Sequence, residues 1–117
     1  SVRSHAMSQG VLQFDVLVSQ PAQGPVTLGI ECGAPCVGEV DLSKVLQATP
    51  PHIKRTLKIP LLCFEEVGSD FLNMDIPFSI STQQPFSAAF SHIQLVSGAA
   101  KDADALSCAD VGVNLKP

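Results

Sequence analysis

Residues 11–18, VLQFDVLV, alternate without a break: Leu12, Phe14, Val16 and Val18 fall on one side, Gln13 and Asp15 on the other. Period two is the signature of a strand with one buried face, and a helix cannot gather such a set on one stripe. The pattern returns at 26–31, where Val26, Leu28 and Ile30 oppose Thr27, Gly29 and Glu31. QPAQGP, with two prolines and a glycine, separates the two runs and predicts a turn, with the flanking strands paired as a hairpin. In KRTLKIPLLCF, Leu57 and Ile59 face inward and Lys58 outward. Pro60 has no N–H to donate, so this strand is expected to end there or lie at a sheet edge. IPFSIST and FSAAFSHIQLVS are the last strands. In the second of these the apolar set shifts from Phe86, Ala88 and Phe90 to Ile93 and Leu95. That one-residue change of phase predicts a β-bulge, with His92 at it.

One short helix is expected. Asp41 is a good N-cap, Leu42, Val45 and Leu46 share a face, and Pro50-Pro51 stops the run within two turns. FEEVGSDFLNMD reads as a loop with one helical turn at 64–67, ended by Gly68. Short strands joined by Pro- and Gly-rich turns define an all-β chain, an antiparallel sandwich or barrel.

The 117 residues suit a single domain. Hydrophobic residues make up 45% and charged ones 15%, a globular balance rather than a disordered one. The net charge of -4 argues against nucleic acid as a partner, because phosphate binding needs a basic surface. No run approaches the roughly 18 apolar residues of a membrane span, and no signal-peptide pattern is present. SVRSHAMSQG has no periodicity. Residues 1–10 therefore read as a non-native or disordered leader with a start at Met7, and residues 11–117 as one β-sandwich domain, a whole or a fragment of a larger one. A secreted parent would carry its signal upstream.

The four cysteines admit several chemistries. A structural zinc needs four ligands, usually as two close pairs. Cys32 and Cys36 are close, but Cys63 and Cys108 are isolated, and His5, His52 and His92 do not pair with them. A redox C-x-x-C has two intervening residues and opens a helix; here there are three, in a β chain. The favoured reading is a disulfide across the Gly-Ala-Pro turn, Cys32–Cys36, with Cys63–Cys108 as the second pair by elimination. An even count of four in a small loop-rich domain fits an oxidising compartment, periplasmic or secreted.

Together, CGAPC.G.VDL, RTLKIPLLCF, G.D and D.PF.I.T, spread between Val11 and Val96, resemble the C-terminal accessory domain of bacterial family 3 glycoside hydrolases. These are exo-1,3/1,4-β-glucanases and β-glucosidases. The resemblance implies a jelly-roll sandwich of the galactose-binding type, shared with carbohydrate-binding modules. It implies the catalytic domains of a parent hydrolase as partner and β-glucan as a further contact. The family's catalytic Asp and Glu belong to those other domains, so no catalytic residue is carried over and no enzyme activity is expected. The family domain is expected to begin with strands before Val11. Without them the 11–18 strand would present an unpaired edge, which would pair with a second copy as a homodimer.

The site candidates are few. Glu65, Glu66, Asp70 and Asp75 are close enough in sequence to meet, as paired carboxyls of glycosidases must, yet nothing else completes a site, and a solvated acidic loop is the simpler reading. Ser81, His92 and Asp75 spell a triad without a nucleophile elbow. A calcium near Asp15 or Asp41 lacks a dense carboxylate loop, so no cofactor is expected. Sugar modules stack pyranose rings on Trp or Tyr, and this chain has neither. Of its six phenylalanines, Phe64 and Phe71 lie in loops. With Asp70 and Asp75 they are the candidate carbohydrate contacts. A stand-alone interaction protein that pairs with another chain is the alternative reading.

Overall fold

The computed structural model describes residues 9–31, 37–65 and 78–113. Seven strands occur among them: β1 (Val11–Gln20), β2 (Val26–Glu31), β3 (Val37–Asp41), β4 (Arg55–Pro60), β5 (Phe78–Thr82), β6 (Ser87–Val96) and β7 (Gly112–Val113). Two five-residue helices, α1 (Ser43–Gln47) and α2 (Leu61–Glu65), and a 3-10 turn at Ala99–Lys101 complete the elements. The strands form two antiparallel sheets, in the orders β4-β1-β6 and β5-β2-β3-β7, so the chain is the expected all-β sandwich.

The alternation of β1 is obeyed: Leu12, Phe14, Val16 and Val18 are buried. Its position differs from the expectation. β1 pairs with β4 from Val11↔Pro60 to Val16↔Arg55, and with β6 from Val11↔Val96 to Gln20↔Ser87. It is the central strand of its sheet, and both of its ladders are filled. The unpaired edge inferred for it is absent, and the self-pairing argument built on that edge loses its basis.

The hairpin expected between β1 and β2 is likewise corrected. Pro21 and Pro25 cannot donate to a ladder, and the segment between the strands carries the chain from one sheet to the other. The β5–β6 connection crosses back beside it, with the Gln23 N–H donating to the Pro85 carbonyl at 3.4 Å. The two crossings are so close that a Cβ on Gly24 would stand 2.5 Å from Gln84 Cγ. A side chain at position 24 would therefore need that of Gln84 to move aside. β2 pairs instead with β3 and β5.

The core lies between the sheets. Phe14 of the first sheet meets Phe78 of the second edge-on, with centroids 5.2 Å apart, and Phe90 lies 5.8 Å from Phe14 and 5.7 Å from Phe78. Such tilted contacts satisfy the ring quadrupoles as well as burying area. Leu28, Ile30 and Val40 complete the facing layer.

The expected bulge is present. Between Gln13↔Gln94 and Asp15↔Ser91, β6 uses one residue more than β1, and His92 takes a left-handed φ of 53°. The shift turns Leu95 onto the core, whereas Ile93, on the bulge itself, is exposed rather than inward-facing. A second shift adds a residue on β1 between Val18 and Gln20.

α1 is short, as expected, with Leu42, Val45 and Leu46 buried. Leu42 holds the N-cap position. Asp41, one residue earlier, still accepts the Ser43 N–H at 2.7 Å, and Ser43 Oγ accepts the Val26 N–H at 3.0 Å, tying the helix to β2. The helical turn expected at 64–67 is displaced: α2 begins three residues earlier, at Leu61. α2 starts immediately after Pro60, a residue that disfavours helix only for the position before it. Gln9 and Gly10, placed with the leader, are bonded into the fold: their carbonyls accept the N–H groups of Ala100 and Leu61, each at 3.0 Å.

Phe14→Ala is expected to destabilise the chain by roughly 3–5 kcal/mol, and Leu17→Ala, on the exposed face, by no more than about 0.5 kcal/mol. Urea midpoints at unchanged m-value measure both; equal effects would contradict a core centred on Phe14.

Candidate functional site

One side of the sandwich is completed by an arm, residues 102–111, that has little regular structure and is held by three kinds of bond. Cys63 on α2 forms a disulfide with Cys108, 45 positions away, as expected, with Cα atoms 5.3 Å apart. Lys58 Nζ, projecting from β4, reaches Asp102 Oδ2 at 3.1 Å and Asp104 Oδ1 at 2.8 Å. The Leu106 N–H donates to the Lys58 carbonyl at 2.9 Å. The hydrogen bonds of Asp104 and then Asp102 raise the Lys58 pKa, and that of Lys58 lowers the Asp104 pKa. Asp110 Oδ2 accepts both the Ser107 N–H at 2.9 Å and the Ser107 hydroxyl at 3.0 Å, which lowers its pKa. Cys32 and Cys36 lie outside the described residues.

The expected carbohydrate contacts divide. Phe71, Asp70 and Asp75, like Glu66, lie outside the described residues. Phe64 is fully buried and cannot serve as a stacking platform. The physical reason is the earlier start of α2: Leu61 and Phe64 stand three residues apart on one helical face, and both are in the core. Phe14 is buried too, and Phe78, Phe86 and Phe90 are half-buried and packed against the core. No described phenyl ring is offered to solvent as a flat platform. Ser81 and His92 lie in opposite sheets, so two members of the notional triad are separated by the sandwich.

On the outer face of the first sheet, Asp15 gathers a polar group that sequence reasoning did not assemble. Thr56 Oγ1 donates to Asp15 Oδ1 at 2.6 Å. Lys54 Nζ and His92 Nδ1 lie 3.5 and 3.1 Å from Oδ2. The Thr56 hydrogen bond, with Lys54 and His92 adding to it, lowers the Asp15 pKa against a desolvation that raises it. Ser91 Oγ lies 3.3 Å from the same Nδ1 that faces Asp15. A relay through imidazole needs both ring nitrogens, so this set positions the bulge and does not activate a nucleophile. The pairing Asp15↔Thr56 and Asp15↔Ser91 was the missing signal, and it is non-local.

Two surface clefts among the described residues bear on the site. One, of about 420 Å3, lies between α1, β4 and the arm. Val45, Leu57 and Leu106 give it an apolar floor, and Lys44, Arg55 and Asp110 stand around it. The other, of about 410 Å3, is lined by Pro25, Thr27, Ser81, Thr82, Gln83 and Gln84, all uncharged. Among the described residues no three His, Cys, Asp or Glu side chains converge as a metal site, and no helix is long and apolar enough to cross a membrane.

Two facing antiparallel sheets, joined by short crossings and carrying surface clefts on an aromatic core, are the architecture of a galactose-binding-like β-sandwich. Residues 2–95 match the Exop_C family model, described as galactose-binding domain-like. The chain belongs to this family, whose name is that of the C-terminal domain of family 3 glycoside hydrolases. It is an accessory domain family and not the catalytic module. No curated protein and no solved structure matches the chain. The family match ends at Leu95, within β6, so the disulfide-held arm lies beyond it.

Replacing Cys63 and Cys108 by Ala is expected to cost about 4 kcal/mol, the chain-entropy value for so long a loop. A loss below about 1 kcal/mol by urea denaturation would show that the ion pairs alone hold the arm. Asp15 supplies a pH test. Its folded pKa is lowered, so its contribution is present above the unfolded value of about 3.9 and lost as pH falls through the folded value. Thr56→Val is expected to move the Asp15 titration upward and to flatten the acid dependence of stability below about pH 4. A carboxyl carbon NMR titration measures this; an unmoved Asp15 would remove Thr56 as the main cause.

Proposed function

We propose that the chain is a non-catalytic accessory sandwich that packs against the catalytic domains of a family 3 glycoside hydrolase acting on β-glucan, and that it stabilises or orients them. The observation that carries this reading is the use of the aromatics. The described phenylalanines all serve the core, and the chain has no Trp or Tyr. A module that held glycan by ring stacking would keep such a face outside. Family membership supports the catalytic domains as partner.

Three of the described carboxylates support a non-catalytic role. Asp15, Asp104 and Asp110 are each engaged by donors of their own chain, so none is left as the paired acid and base of glycoside hydrolysis. Glycan contact is secondary in this reading. The uncharged cleft beside Thr27 and Ser81 offers hydroxyl and amide groups to a neutral chain, with weak affinity. The Cys63–Cys108 disulfide supports a periplasmic or secreted location, because such bonds persist in oxidising compartments.

The test mixes this chain with the catalytic domains of a family 3 β-glucanase expressed without their own C-terminal domain. The expected result is a higher Tm for those domains and, for this chain alone, laminarin binding no tighter than about 1 mM. An unchanged Tm together with micromolar laminarin binding would replace docking by glycan capture as the function.

A further inference from the structure

We propose that the cleft between α1, β4 and the arm binds a small organic anion: a carboxylate on a body the size of one sugar ring, as in a uronic acid. This ligand differs from the neutral glucan discussed above, and the inference does not depend on it.

The first observation is a cation where the strand pattern calls for an apolar residue. On β4, positions 55, 57 and 59 share the inner face. Leu57 and Ile59 are buried there, and Arg55 pairs with buried Val16. Position 55 nevertheless carries an exposed guanidinium. The sandwich is therefore open at this end, and its mouth is the cleft.

The second observation concerns charge. Among the described cations, Lys54 and Lys58 are engaged with carboxylates. Neither the Lys44 ammonium nor the Arg55 guanidinium is within ion-pair distance of a described carboxylate, and both line this cleft. The carboxylate that shares the cleft, Asp110, already accepts two hydrogen bonds from Ser107. On a chain of net charge -4, two cations that form no ion pair with a described carboxylate line one depression, with Lys44 near enough to Asp110 for the two charges to interact. A recess of that sign focuses anions even when the whole molecule repels them.

Shape sets the rest of the ligand. Arginine presents a planar fork of donors that fits a carboxylate bidentately. Val45, Leu57 and Leu106 provide an apolar floor for the C–H face of a ring. A volume of about 420 Å3 lies in the range of small-molecule sites. The uncharged cleft beside Thr27 and Ser81 has no cation in its lining and is the internal contrast.

The test is a two-dimensional amide NMR titration of the full chain, disulfide intact, with D-glucuronate, D-glucose and acetate. Saturable shifts at Val45, Thr49, Leu57 and Leu106 are expected with glucuronate, with much weaker effects from glucose and from acetate. Arg55→Gln is expected to weaken glucuronate about tenfold, which is about 1.4 kcal/mol, while Lys101→Gln, away from the cleft, leaves affinity unchanged. Arg55 is exposed, so its variant should fold, and an unchanged melting curve checks that. Absence of saturable binding overturns the proposal. So does glucose or acetate matching glucuronate, or an Arg55→Gln variant that binds as the parent does. None of these outcomes bears on the docking test, which reads the Tm of other domains.

Discussion

Phe14 is the point on which the two layers of this molecule depend. It stands at the middle of the central strand of one sheet, and its ring meets Phe78 of the other sheet and Phe90 of its own. A sandwich this small has one modest core, and a buried aromatic contributes more apolar area to it than any aliphatic residue. The bulge at His92 belongs to the same arrangement. It lies opposite Phe14 in the ladder and sets the phase that brings Phe90 inward before it and Leu95 inward after it. The outer face secures the bulge, because Asp15, the neighbour of Phe14 in sequence, approaches His92, Lys54 and Thr56. One strand thus organises the hydrophobic layer with one face and the polar surface with the other.

The second dependence is covalent. Beyond β6 the described residues have a 3-10 turn, the arm and two residues of β7, which is too little regular structure to hold itself. The Cys63–Cys108 bond anchors it to α2, and Lys58 anchors it to β4. The cleft that Lys44 and Arg55 line has this arm as one wall, through Leu106 and Asp110. Its arm wall therefore depends on the disulfide and lies outside the family match, while Lys44, Val45, Arg55 and Leu57 lie within it.

Family membership and surface chemistry point in complementary directions. The fold is one that often holds sugars, yet the described phenylalanines are part of the core and the chain has no Trp or Tyr. A scaffold does not carry an activity with it; side chains do. The two described clefts offer hydroxyls, amides and the cations Lys44 and Arg55, groups that suit domain docking and small polar ligands.

Much of the secondary structure was legible in the sequence, because alternation reports which side of a strand is buried. The inner faces of β1, β2 and β4, the buried face of α1, the end of β4 at Pro60 and the bulge at His92 all follow from residues close in the chain. The even cysteine count led to Cys63–Cys108 by elimination. β3 escaped because Gly38, inward and buried, interrupts the apolar pattern that Val40 continues. Periodicity also says nothing of what a face is buried against. That β1 is central, that the prolines of 21–25 carry the chain between sheets, and that α2 begins at Leu61 and buries Phe64 were decided by long-range packing. So was the meeting of Lys44, Arg55 and Leu106 at one cleft, since those residues are brought together only when strands and arm close around a shared core.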